Sequence, residues 1–180
     1  LVLIEVCILV DFSENYFSIF GIPISCEIDL ELLEKKYRKL LMEHHPDRQL
    51  DATKKLEAVT TTSLINKAYN TLKNLDSRAC YLLKISGLAT NVEQVSIDDH
   101  DFLEEQLNLR EAIEKIKQNV TLEKELPKIK AKIYTDIKKY YVDFSNHFNT
   151  STKDSIKKAT QAAYKLKFIC KLQDTLEKML

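Results

Sequence analysis

Glycine is almost missing from this chain, with two in 180 residues, alongside three prolines and no tryptophan. A turn-rich sheet protein needs many positions of left-handed backbone, which glycine supplies. Its scarcity points instead to long helices with few connections. Basic and acidic residues balance at 27 each, so no global field draws the chain to nucleic acid or to an anionic membrane. No run reaches the roughly 18 apolar residues of a membrane span. There is no Walker-type glycine loop to cradle a nucleotide, and no serine or cysteine lies in a recognisable nucleophile pattern. The four cysteines, Cys7, Cys26, Cys80 and Cys170, form no CxxC pair. No zinc site is expected from them, and idle thiols in a reducing cytosol are the simpler reading.

What the chain does have is helical period and local charge. Residues 1–14 open on an apolar stretch interrupted by Glu5. It lacks a basic n-region and a small-residue cleavage site, so it fits a secretory signal poorly and stands as an apolar leader of unknown role. From Asn15 the pattern is that of a globular protein. Residues 16–20 form a short apolar helical turn closed by Gly21 and Pro23. Asp29 is an N-cap, with Leu32 rather than Glu at N3. Leu30, Leu33, Tyr37, Leu40, Leu41 and His44 then share one face of a helix that must end before Pro46, because the residue before proline is pushed out of the α region. A loop at 45–52 leads to a second helix from near Thr53 to about Asn74, with Ala58, Thr61, Thr62, Ile65, Ala68, Tyr69 and Leu72 on one face. A short helix from Ser77 to Ile85 closes at Gly87. Residues 88–97 read as a linker.

Three longer helical patterns follow, at about 99–119, 122–148 and 152–179. Phe102, Leu109, Ile113, Ile116 and Val120 make the core stripe of the first. Leu122, Leu126, Ile129, Ile133, Ile137, Tyr140, Phe144 and Phe148 make that of the second, with Pro127 marking a kink or a helix start just before it. Ala159, Ala163, Leu166, Ile169, Cys170 and Leu176 line the third, after a capping-box-like Ser151-x-x-Asp154. Three antiparallel helices joined by short connections are the simplest closure.

The function is read from Met42-Glu43-His44-His45-Pro46-Asp47-Arg48. Taken alone, His45-Pro46-Asp47 is a helix stop followed by a turn residue. Its context says more. The preceding helix carries Lys35, Arg38 and Lys39 on its solvent side, and Arg48 lies just past the loop. An exposed carboxylate, Asp47, at the tip of a basic helical hairpin suits docking on an acidic partner. Adjacent histidines at a helix end rarely converge on one ion, so His44 and His45 are not expected to bind a metal. In the second half, Leu103 and Leu107 fall about 100° off the core stripe, with Glu111 continuing their line and Glu104, Asn108 and Lys115 beside it. Phe168 points nearly opposite Leu166. Scattered exposed apolar residues are common; three that share one bundle also suit a protein-docking surface.

Residues 15–87 resemble a J-domain, with His45, Pro46 and Asp47 as its signature tripeptide. The resemblance narrows to the HscB family of iron–sulfur cluster co-chaperones. It rests on residues 15–23 (NYFSIFGIP), 77–83 (SRACYLL), 102–111 (FLEEQLNLRE) and 164–172 (YKLKFICKL), and spans nearly everything after residue 14. General DnaJ proteins carry a Gly/Phe-rich linker and CxxCxGxG repeats, and this chain has neither. The resemblance implies an all-α, L-shaped protein in which a J-domain at 15–87 is followed, after the linker, by a three-helix bundle at 98–180. It implies a non-enzymatic co-chaperone with no cofactor, whose partners are an HscA/DnaK-type ATPase chaperone and an IscU-type scaffold. His45, Pro46 and Asp47 would trigger the chaperone's ATP hydrolysis, and Lys35, Arg38, Lys39 and Arg48 would steer it into place. Leu103, Leu107, Glu111 and Phe168 would bind the scaffold, with Glu104, Asn108 and Lys115 at the rim. Those last three depart from the family, which often has an apolar residue at the first and acids at the other two. Some eukaryotic relatives carry an N-terminal CxxC zinc module, and its absence here favours a bacterial cytoplasmic protein. Two rivals remain: a J-domain protein serving an unrelated client, and a structural helical protein whose tripeptide is accidental.

Overall fold

The computed structural model describes residues 15–48, 51–87, 99–118, 124–150 and 152–178. Among them are seven α-helices and no strand. The apolar leader with Cys7, the linker at 88–97, Val120, Leu122 and Ser151 lie outside the described residues. The chain divides into two compact units between Asn74 and Leu75.

The first unit holds α1 (Tyr16–Ile19), α2 (Leu30–Glu43) and α3 (Ala52–Lys73). Asn15 starts α1 through a capping box, its Oδ1 accepting from the backbone N–H of Phe17 (2.9 Å) and Ser18 (3.0 Å). The helix stops after one turn because Gly21 takes a left-handed φ of 54°. That bend returns Phe17, Ile19 and Phe20 to the core. Asp29 caps α2 as its sequence suggests, accepting from Glu31 and Leu32 N–H at 2.9 and 3.0 Å. Leu33 and Leu40 are buried against α3, where Ile65, Ala68 and Leu72 are fully covered. Each such aliphatic side chain contributes about 1.5–3 kcal/mol by leaving water. Leu30, placed on the core face by its period, is largely exposed; it sits in the first turn, before α2 is covered by a neighbour.

The second unit holds α4 (Leu75–Ile85), α5 (His100–Gln118), α6 (Leu126–Phe148) and α7 (Lys153–Glu177). The connection from α3 is a single extended residue, Asn74 at ψ 129°, so α4 starts two residues before the expected Ser77. α4 packs on α7 and α6, with Ala79, Leu82 and Leu83 fully buried. Arg78 of α4 is also buried, its Nε donating to Tyr141 Oη of α6 at 2.9 Å with the guanidinium over the same ring. α6 starts just before Pro127, where the missing N–H is harmless. α7 starts at an N-cap of Thr152, which accepts from Ser155 N–H at 3.2 Å.

α7 is the centre of this unit. It touches α4, α5 and α6, so burial spreads beyond the expected stripe to Ala162, Tyr164 and Leu172. Cys170 is half-buried beside α4, and burial pushes its thiol up to about 12 and raises that of Cys80. These are poor nucleophiles at neutral pH. Two ion-pair links tie α5 down. Lys132 of α6 bridges Glu105 (2.7 Å) and the buried Asp136 (2.8 Å). Lys165 of α7 reaches Asp99, whose other oxygen accepts from Phe102 N–H at the start of α5 (3.0 Å).

Candidate functional site

The first site is the tip of the α2–α3 hairpin. α2 ends at Glu43, and Pro46–Arg48 form one 3₁₀ turn closed by Arg48 N–H donating to His45 O at 3.1 Å. The exposed His45 side chain also braces that turn, since the Asp47 N–H donates to its Nδ1 at 3.2 Å. An accepting Nδ1 puts the ring proton on Nε2. In that tautomer the 3.7 Å approach of Nδ1 to the Asp47 carboxylate is not an ion pair. The Asp47 side chain is 89% exposed, so its carboxylate faces solvent rather than its own fold. α3 supports the turn from behind: the Thr62 hydroxyl lies 2.6 Å from Ala58 O and 3.2 Å from His44 O. A shallow cleft of about 420 Å³, lined by Leu41, Met42, His45, Asp47 and Arg48, opens beside the carboxylate.

Lys35, Arg38, Lys39 and Arg48 are all exposed on this unit. The face is less bare than the sequence reading implied. Arg38 Nε binds Glu34 at 2.7 Å, and Lys39 lies 3.7 Å from Glu43. Both pairs have the i,i+4 spacing, with the acid on the N-terminal side, that favours such pairs on helices. Glu34 has a second partner that no local pattern discloses. Tyr69 of α3 donates its hydroxyl to the other carboxylate oxygen. The Tyr69 ring stacks on Tyr37 at 3.9 Å, and Tyr37 Oη meets Asn66 Oδ1 at 2.8 Å. The Tyr69 hydroxyl, and then Arg38, hold the Glu34 carboxyl below its usual range, while the same bond raises Tyr69.

The second site is the outer face of α5 with one residue of α7. Leu103, Leu107 and Phe168 are 43%, 57% and 36% exposed, a large exposure for apolar side chains flanked by buried ones. Phe168 stands edge-on to the buried Phe102, ring centres 6.3 Å apart, next to Leu103 in the chain. Glu104, Asn108, Glu111 and Lys115 are exposed on the same helix. Glu111 and Lys115 approach each other at 3.7 Å. One residue of α5 was missed altogether: Gln106, buried on the core side with neither amide atom hydrogen-bonded among the described residues. Among those residues no group of three or more His, Cys, Asp or Glu converges as a metal site, and no helix is long and apolar enough to cross a membrane.

Both halves of this layout match known families. The DnaJ domain model matches residues 15–81. The model described as the HSCB C-terminal oligomerisation domain matches residues 98–177. The co-chaperone protein HscB of Proteus mirabilis is 33% identical over 165 residues, covering 91% of this chain and 94% of that relative. The HscB homolog of Vibrio vulnificus strain YJ016 is 35% identical over 165 residues, covering 91% and 95%. Among solved structures, chaperone HscB from Vibrio cholerae aligns with a TM-score of 0.74 at 35% identity over 91% of this chain and 96% of that one. Human co-chaperone HscB shares the fold, with a TM-score of 0.72 at 23% identity over 92% of this chain and 84% of that one. With a J-domain tripeptide on an exposed turn, an HscB C-terminal domain and relatives matched along almost their whole length, this chain belongs to the HscB family of co-chaperones.

Proposed function

We propose that this protein stimulates ATP hydrolysis by an HscA/DnaK-type chaperone while presenting an IscU-type scaffold to it. The observation that carries the first half is the turn at His45-Pro46-Asp47, which holds one almost fully exposed carboxylate at the end of a lysine- and arginine-bearing helix. A carboxylate held in a closed 3₁₀ turn loses little freedom on docking. The basic side chains around it speed encounter with an acidic surface, in a salt-dependent way. His45, Pro46 and Asp47 would then perturb the chaperone's nucleotide domain. The chain contributes no catalytic group; the hydrolytic site is the chaperone's.

The second half rests on the α5 face. Leu103, Leu107 and Phe168 supply apolar area for a scaffold, and Glu111, Glu104, Asn108 and Lys115 supply its rim. Holding client and chaperone on one chain raises the client's effective concentration at the chaperone without any new contact between them. The bacterial relatives support a cytoplasmic setting in a bacterium.

The test is the steady-state ATPase rate of an HscA-type chaperone with scaffold present. Asp47→Asn is expected to abolish stimulation. The triple change Leu103→Ala/Leu107→Ala/Phe168→Ala is expected to remove only the scaffold-dependent part. A wild type that fails to stimulate refutes the reading.

A further inference from the structure

The contact that the assigned sites leave unexplained is the chain Tyr69–Glu34–Arg38. Arg38 lies on the outer face of α2, its side chain 74% exposed. A free arginine at such a position samples many rotamers. Here its Nε is bonded to Glu34 Oε1 at 2.7 Å. Glu34 in turn is gripped through Oε2 by a residue of another helix, the Tyr69 hydroxyl. Tyr69 is itself buried, and stacked on Tyr37 with ring planes 12° apart. The carboxylate is thus anchored to the α2–α3 core at one oxygen and holds the arginine at the other. Arg38's terminal nitrogens, Nη1 and Nη2, make no hydrogen bond among the described residues.

We propose that Tyr69 and Glu34 are positioning residues that set Arg38 to receive a carboxylate of the chaperone through Nη1 and Nη2. This rests on the chaperone-docking reading above and adds its register. A guanidinium offers a carboxylate two parallel N–H pairs, one along the Nε edge and one end-on between the two Nη atoms. With Glu34 on Nε, the end-on fork is the pair left for the partner's carboxylate. A lysine cannot form that fork. Glu34 also offsets part of Arg38's charge, so the site gives up some long-range attraction in exchange for a defined geometry.

The experiment measures ATPase stimulation of an HscA-type chaperone against concentration of the full chain. Tyr69→Phe is the central variant, because it keeps the ring stacked on Tyr37 and changes no charge. It is expected to raise the half-maximal concentration roughly two- to tenfold, the cost of ordering one loose side chain on binding. The maximal rate, which belongs to His45-Pro46-Asp47, is expected to persist. Arg38→Lys is expected to weaken half-maximal stimulation by a similar factor despite its charge. In an Arg38→Ala background, Tyr69→Phe is expected to add nothing, since the residue it positions is gone. NMR of the 15N-labelled chain reads the geometry directly: a slowly exchanging Arg38 Nε–H signal in the wild type, lost in Tyr69→Phe. An unchanged or lowered half-maximal concentration in Tyr69→Phe overturns the proposal. So does full additivity with Arg38→Ala, or an Arg38→Lys chain equal to wild type. If wild type itself does not stimulate, or Asp47→Asn stimulates fully, the docking reading falls and takes this proposal with it; any of the former results with Asp47→Asn inactive overturns the positioning proposal alone.

Discussion

Gln106 offers the sharpest physical test of the second unit. Its side chain is 4% exposed and continues the line of Phe102 and Ile113 on the inner side of α5. Neither Nε2 nor Oε1 has a hydrogen-bond partner among the described residues. Each unpaired buried polar group costs about 1–3 kcal/mol in lost hydration. Gln106→Leu removes two such atoms and keeps a side chain of similar length. Some of the gain is offset by the branched shape, so the expected net stabilisation is about 2 kcal/mol. For a chain of this size that is a rise in melting temperature of about 4–8 °C. The assay is urea unfolding followed by far-UV circular dichroism, with hydrogen exchange resolved by helix. The midpoint is expected to rise with an unchanged m-value. Exchange is expected to slow in α5–α7 but not in α2 and α3, because Gln106 belongs to the second unit alone. Gln106→Glu serves as the opposite control, since it buries a charge in the same place and must destabilise. A Gln106→Leu chain with an unchanged or lower midpoint refutes the reasoning, since the amide would then be satisfied in solution.

Tyr141→Phe deprives the buried Arg78 Nε of its 2.9 Å acceptor and is expected to cost roughly 1.5–3 kcal/mol, read as a lower urea midpoint. Leu103→Ala and Leu107→Ala, being on an exposed face, are expected to change stability by less than about 0.5 kcal/mol in the same melt, while weakening scaffold capture in a pull-down. Burial raises the Tyr140 hydroxyl to about 12 from an ordinary 10.0. The folded state therefore holds that proton more tightly than the unfolded one. Its stabilisation is complete below pH 10 and is lost as the pH climbs towards 12, which melts across an alkaline series would show. On the acid side, Lys165 and the Phe102 N–H hold Asp99 below its ordinary 3.8. That contribution is present above the ordinary value and is lost as the pH falls through the folded one. Lys165→Met is expected to flatten the acid limb of the same series.

Much of the first unit could be read directly from residues. Asp29 and Pro46 bracket α2, Gly21 ends α1, and the exposed Asp47 turn follows from a helix that proline must stop. These are local events: a cap, a broken hydrogen-bond ladder and a backbone angle depend on neighbours within four residues. The outer positions of Leu103, Leu107 and Phe168 were also legible, because a side chain about 100° off the buried stripe of its own helix has nowhere to go but outwards unless another helix covers it.

What the tertiary structure decided is which helix covers which. Periodicity defines the apolar face of α4 but not its partner. The packing of Ala79, Leu82 and Leu83 on α6 and α7, with Arg78 held by Tyr141, groups α4 with the C-terminal helices although the chain runs into it from α3 with one residue between. The breadth of burial on α7 comes from three neighbours at once, which a single stripe does not foresee. Gln106 is polar by type and buried by position. Tyr69 carries an ordinary core pattern, and only the approach of α2 brings its hydroxyl to Glu34. Sequence by itself determined the helices, both ends of α2 and the exposed turn after it, because those are set by short-range backbone chemistry. The pairing of faces, and with it every contact between residues 30 or more positions apart, was decided by packing, because burial is a property of the assembled surface and not of any one segment.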